Sequence, residues 1–132
     1  MPLYTITTQE GTLDAAAKQT LAAGITDFHA KTAGVPAGWV HIVFHEYPAG
    51  NGFSAGRPAA TVALTVMIRT GRSPDYKRAF LAELWRLLQS ATAAADDQIV
   101  VGIQEVPSSQ AMEMGRTMPD VAVTQPDIPS QR

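Results

Sequence analysis

Two stretches of this chain repeat one pattern, and that duplication limits the fold more than any other feature. Leu3 to Thr8 and Val62 to Ile68 are short β-rich runs. Each leads through a glycine, Gly11 or Gly71, to a helix start, with Thr12 and Ser73 as expected N-caps and Pro74 at the first helical position, where its missing N–H costs nothing. Leu13, Ala17, Leu21, Ile25 and Phe28 then recur at helical spacing, as do Phe80, Leu84, Leu87, Leu88 and Ala91. Each half closes with a second strand, Val40 to Phe44 before His45-Glu46-Tyr47-Pro48 and Ile99 to Ile103 before Gln104-Glu105-Val106-Pro107. Offsets of 60 residues for the opening strands and 59 for the closing ones superimpose the halves. A tandem βαβ repeat of the α+β class follows, with right-handed crossovers and both helices on one face of a four-stranded mixed sheet.

The halves occupy about 1–48 and 60–107, joined by a turn-rich stretch from Pro48 to Pro58 that reads as a loop or hairpin. The domain is expected over 1–118. Residues 119–132, with three prolines and little periodicity, read as a flexible tail or as an arm that packs on a neighbouring subunit. A sheet with helices on one face leaves the other to be covered, and self-association around an axis would cover it. Because the chain already holds two βαβ units, a homotrimer is expected. In that packing the first strand is central.

Composition removes several classes of function. With 132 residues there is one domain, long enough to bury roughly two-thirds of the surface its unfolded chain exposes. The absence of cysteine excludes disulfides, thiolate metal sites and cysteine nucleophiles. A net charge of −2 with both signs interspersed offers no basic stripe, so neither nucleic acid nor an anionic membrane is an expected partner. No apolar run is long enough to span a bilayer, and no basic leader precedes an apolar core. A soluble, cytoplasmic protein is expected.

The residues that could carry chemistry are few. Proline follows the initiator methionine; it either trims an edge strand or, once Met1 is removed, presents a free secondary amine at Pro2. Arg69 and Arg72, three apart across Gly71 at the end of a strand and the start of a helix, could aim two guanidinium forks at one carboxylate. Charges of that sign are unfavourable for the helix they precede. His29 sits on the apolar side of the first helix, where a boundary histidine is the ordinary reading. Glu113 lies in an irregular, methionine-rich segment, where an exposed carboxylate is ordinary. His41 and His45, about 13 Å apart on a strand, cannot chelate one ion, and the glycine-rich stretches lack the spacing of a phosphate loop. No metal and no cofactor are expected.

A tandem βαβ chain beginning Met-Pro resembles the tautomerase superfamily. Its internal stretches Ile25 to His29, Glu46 to Asn51, Arg69 to Ser73, Glu105 to Pro107 and Glu113 to Arg116 are similar to the branch of cis-3-chloroacrylic acid dehalogenase. The resemblance implies Pro2 as catalytic amine, His29, Arg69 and Arg72 as binders of a small carboxylate substrate, and Glu113 as the group that orients or activates water. One element departs from it: the family's active-site tyrosine falls on Gly102. That favours tautomerisation of enol or dienol forms of 2-oxo acids over hydration or dehalogenation of 3-haloacrylate-like acids, with a non-catalytic binding protein as a third reading.

Overall fold

The strand that opens the chain, β1 (Leu3–Gln9), buries Tyr4, Ile6 and Thr8 and turns Leu3, Thr5 and Thr7 the other way, the period of two that a sheet with one covered face demands. In the computed structural model, which describes residues 1–121, β1 is followed by α1 (Ala15–Ala33), β2 (His41–Tyr47), the two-residue strands β3 (Phe53–Ser54) and β4 (Arg57–Pro58), β5 (Val62–Arg69), α2 (Pro74–Thr92), β6 (Ile99–Val106), and a last pair, β7 (Met112–Glu113) and β8 (Arg116–Thr117). The main sheet has the order β2-β1-β5-β6. β1 runs parallel to β2 and β5 parallel to β6, while β1 and β5 meet antiparallel at the centre. This is the expected α+β arrangement of two βαβ units, with β1 central. No helix among the described residues is long and apolar enough to cross a membrane.

Each helix packs on the sheet through residues four apart. α1 buries Leu21, Ile25, His29 and Ala33, and α2 buries Tyr76, Phe80, Leu84 and Leu88. All of these except His29 and Ala33 join Tyr4, Ile6, Val62, Leu64, Val66, Ile68 and Ile99 in one core. Leu84 has no exposed surface; trimming such a side chain to alanine costs about 2 to 5 kcal/mol.

The helix boundaries correct one expectation and meet another. α1 is capped by Asp14, whose carboxylate accepts from the N–H of Ala17 at 2.8 Å, and not by Thr12, whose N–H instead closes a turn on the Gln9 carbonyl. Leu13 is buried but lies ahead of the helix. α2 begins as expected, with Ser73 accepting from the Tyr76 N–H at 3.0 Å and Pro74 in the first turn. β2 and β6 both continue past the expected ends, through Tyr47 and Val106, so the tetrads read as strand exits lie largely within the strands.

The other sheet face is bare in a single chain. Leu3, Val43 and Val100 retain 37%, 45% and 65% of their exposure there.

Candidate active site

Antiparallel pairing of β1 and β5 sets Leu3 opposite Met67. The start of the chain therefore lies beside the end of β5, and the turn from β5 to α2 begins there. Gly71 in that turn has φ +124° and sits so close to Val121 that a Cβ would come within 3.2 Å of the valine Cβ. A side chain there would be strained by the backbone conformation and would press on the valine, and the turn holds Arg69 and Arg72 on either side of the glycine. Arg69, largely buried, donates from Nη1 to the Pro119 carbonyl. Arg72 donates from Nη2 to the Ala33 carbonyl at 3.2 Å, and its guanidinium carbon lies 4.8 Å from the centre of the Tyr76 ring. A cation at the carbonyl end of α1 is electrostatically favourable. Arg72, unhelpful to the helix it precedes, is accommodated by the one it follows in space.

His29 comes to the same place from the last turns of α1, 4% exposed. Its Nδ1 is 2.7 Å from the Tyr4 hydroxyl, and its ring meets those of Tyr4 and Phe80 edge to face. Burial first, then the nearby N-terminal amine, Arg72 and Arg69, pull His29 down to about 3, so the imidazole is neutral at pH 7. Burial raises the Tyr4 phenol well above its usual range, so it keeps its proton.

Two cavities meet at Met1. The smaller, about 20 Å³, is lined by Met1, His29, Arg69, Arg72 and Tyr76, with Val121 at its edge; it has room for about one water molecule. The larger, about 290 Å³, is lined by Met1, Pro2, Met67, Ala111, Met112 and Glu113 among others. Of the five residues expected to form a site, His29, Arg69 and Arg72 therefore share one cavity, and Pro2 and Glu113 share the other. Met1, 7% exposed, borders both.

With Met1 in place the Pro2 nitrogen is an amide and cannot act as a base. Pro2 itself is wholly buried, and its carbonyl accepts from the N–H of His41. The basic nitrogen is that of Met1, which ion-pairs with Glu113 Oε1. Burial and, second, the Arg69 guanidinium lower this amine to about 6. The Glu113 carboxylate acts in the opposite sense. Its other oxygen, Oε2, is buried and has no hydrogen-bond partner among the described residues. Glu113 lies in the β7–β8 hairpin and not in an irregular segment.

Sequence reasoning missed several residues here. Tyr4 was visible as an inward position of an alternating strand, and a phenol on that face needs a hydrogen-bond partner. Tyr76, under Arg72, occupies the first turn of α2. Met1 is visible as the residue bonded to Pro2, but its position between two cavities is a tertiary fact. Pro119 and Val121 lie within the stretch read as a tail, yet they touch Arg69 and Gly71; residues 122–132 of that stretch lie outside the described residues.

Gly102, where the resemblance calls for tyrosine, lies on β6 opposite Thr65 on the bare sheet face. Its φ is not positive, and a Cβ there would meet nothing within 4 Å. The hydroxyls of Tyr4 and Tyr47 are engaged elsewhere, Tyr4 with His29 and Tyr47 as donor to the Thr61 carbonyl.

The relatives of this arrangement are found by structure and by family pattern. The fold matches a crystal structure of native Ps01740 with TM-score 0.81 and 35% identity, covering 84% of this chain and 99% of that one. It matches N1, a member of the cis-3-chloroacrylic acid dehalogenase family, with TM-score 0.85 and 24% identity, covering 92% and 87%, which establishes likeness of fold. Native fused 4-OT matches with TM-score 0.77 and 25% identity, covering 87% and 94%. A comparison with curated proteins found no match. The family model described as "Putative oxalocrotonate tautomerase enzyme" matches residues 1–126. With nearly the whole length matched, the chain belongs to that family, within the tautomerase superfamily.

Proposed function

We propose that the chain, once Met1 is removed, is a cofactor-free tautomerase of enol and dienol forms of small 2-oxo acids. The observation that carries this reading is the position of Met1. It is the residue bordering both the cavity of His29, Arg69 and Arg72 and the cavity of Pro2 and Glu113. Its removal unites these five residues around one space and turns the buried Pro2 amide into an amine.

The chemistry follows from the surroundings. A buried amine beside guanidinium groups is biased toward its neutral form. A neutral amine takes a proton from an enol oxygen or a carbon acid and returns it elsewhere on the conjugated system. Arg69 and Arg72 supply N–H donors suited to the substrate carboxylate, and neutral His29 supplies a donor without adding charge. The larger cavity, lined by Met67, Ala111 and Met112, accommodates an apolar substituent such as a phenyl ring.

The test is an intact mass together with an enol-to-keto assay on phenylenolpyruvate. The processed protein should turn over; protein that retains Met1 or carries an N-terminal tag should be folded and inactive. Equal turnover by the blocked protein overturns the mechanism.

A second reading, addition of water to 3-haloacrylate-like acids, is favoured by the unpartnered Oε2 of Glu113, an acceptor that could hold a water. The absence of a tyrosine at Gly102 ranks it lower. Little halide should be released from cis-3-chloroacrylate, and Gly102→Tyr, which fits the open backbone geometry there, should raise it. The bare sheet face, and the trimers named for fused 4-OT proteins of similar fold, support a homotrimer. Light scattering that returned a monomer would remove that support.

A further inference from the structure

We infer that Tyr4 is a positioning residue, one that fixes His29 in the tautomer carrying its proton on Nε2 and so makes the imidazole a donor toward substrate; this rests on the reading of His29 as a substrate-binding group. Tyr4 has no exposed surface, and among the described residues its hydroxyl makes one hydrogen bond, to His29 Nδ1 at 2.7 Å. A hydroxyl has one proton to give and a neutral imidazole has one N–H. If Nδ1 held the proton and donated it to the phenol oxygen, the phenol O–H would be buried with no acceptor, an arrangement that costs more than the bond returns. The phenol must donate. Nδ1 then accepts, and the ring proton resides on Nε2.

No hydrogen bond to Nε2 is made by the described residues, and His29 lines the cavity of Arg69 and Arg72. The groups around the ring agree with this state. Phe80 and Tyr4 hold its plane edge to face, which prevents a flip that would exchange the nitrogens. Arg69, Arg72 and the terminal amine oppose a second ring proton. Tyr4 thus acts on substrate through another side chain. Its hydroxyl, committed to Nδ1, is not a substitute for the tyrosine absent at Gly102.

The test pairs a spectroscopic with a kinetic measurement on the processed full chain. With three histidines in the sequence, long-range nitrogen–proton NMR correlations resolve His29, and wild type should show Nε2–H from pH 8 down to pH 5. In Tyr4→Phe, Nδ1 loses its donor. The single tautomer should give way to a mixture, the His29 titration followed by NMR should begin at higher pH, and kcat/KM for phenylenolpyruvate should fall about three- to tenfold, the worth of one hydrogen bond. In a His29→Gln background the same Tyr4 substitution should have no further kinetic effect. Nδ1–H in wild type overturns the inference even if Tyr4→Phe fails to fold, and so does an equal kinetic loss in both backgrounds. Absence of turnover by processed wild type would instead overturn the proposed function, and the NMR tautomer would still decide the geometry of the pair.

Discussion

The two ends of the sheet are built from the same parts and have diverged in chemistry. Each half has its strand, its turn with a positive-φ glycine, Gly11 at +90° or Gly71 at +124°, its helix, and a lysine early in the helix that reaches a glutamate near the end of the closing strand. Lys18 meets Glu46 at 3.0 Å and Lys77 meets Glu105 at 3.2 Å. Even the small hairpins correspond: Ala55-Gly56-Arg57 and Met114-Gly115-Arg116 carry paired positive φ values, 53° and 74° against 51° and 75°, in the two-residue turn that such hairpins use. At an offset of 60, Gln9 and Thr12 stand where the other end has Arg69 and Arg72, and at the offset of 59 that relates the helices, Leu88 stands where the first helix has His29. Leu88 is wholly buried in the apolar core; His29 binds Tyr4 and faces a cavity. Ser54 stands where the other hairpin has Glu113.

The difference shows what the duplicated scaffold does not supply. At one end β1 begins at Leu3, directly after Pro2, so the proposed removal of Met1 would place an amine there. At the other, β5 is entered from a continuous chain, and the Thr61 carbonyl just before it is bonded by Tyr47. Among the described residues, His29, Arg69, Arg72 and Glu113 all border cavities that meet at Met1.

Converting the active end into its quiet counterpart should give the largest effect. On the proposed function, Arg69→Gln and Arg72→Thr each remove a charge-assisted donor to a substrate carboxylate, worth about 1.5 to 3 kcal/mol, so kcat/KM for an enol of a 2-oxo acid should fall roughly ten- to a hundredfold in each. The reverse changes, Gln9→Arg and Thr12→Arg, should create no activity, because no amine lies there. Undiminished turnover in both arginine variants would remove the carboxylate role from this turn.

The next contrast is in pH. An unfolded histidine titrates near about 6.5, and folded His29 near about 3. Between those values the unfolded chain binds the extra proton, so the stability contributed by this lowered pKa is complete above the unfolded value and is lost as pH falls through the window. From about pH 6.5 to 4.5 the loss should be about 2 kcal/mol in urea unfolding. His29→Gln, which keeps a polar group and cannot titrate, should flatten that slope. An unchanged slope would mean that other groups titrate there.

Much of this organisation was legible in the sequence. The four-residue spacing of buried positions in α2 and the Ser73-Pro74 start are local signals, and they survive folding because cap and core face lie in one continuous segment. The centrality of β1 was expected from the packing of bare sheet faces, and in the structure its antiparallel pairing with β5 makes it central within one chain. Asp14 was less visible: Thr12 and Asp14 are both capping types, and the extra turn through Gly11 decides between them. The matching hairpins were hidden because two-residue strands carry no periodicity, although the shared Gly-Arg at an offset of 59 was there to be seen. The Tyr4–His29 contact and the place of Met1 arise from helix-on-sheet packing. They join residues that no spacing rule relates.

The helix ends differ in a way that predicts a gain. Both C-caps are left-handed, Gly34 at φ 69° and Ala93 at φ 57°, and only glycine adopts that conformation without steric cost. Ala93→Gly should therefore stabilise the fold. Relief of strain is partly offset by the freer unfolded chain, leaving about 0.5 to 1 kcal/mol and a rise of a few degrees in Tm. Gly34→Ala should lose a comparable amount. A fall in Tm for Ala93→Gly would show that the two caps are not equivalent.

The smallest effect should come from the feature the halves share most closely. The Lys18–Glu46 and Lys77–Glu105 pairs have nearly equal lengths, and all four side chains keep 29% to 31% of their exposure. At such sites solvent screens the attraction and ordering two long side chains offsets part of it, so each pair contributes about 0.2 to 1 kcal/mol. Lys18→Met and Lys77→Met retain most of the apolar stem and remove the charge. Each should lower stability within that range and by the same amount, and 1 M salt should erase the difference from wild type. Since neither lysine lines the two cavities at Met1, kcat/KM should not change. A loss confined to Lys77→Met, or one that persists in high salt, would show that this pair braces the strand leading to the Glu113 hairpin, and that the resemblance between the halves is geometric without being energetic.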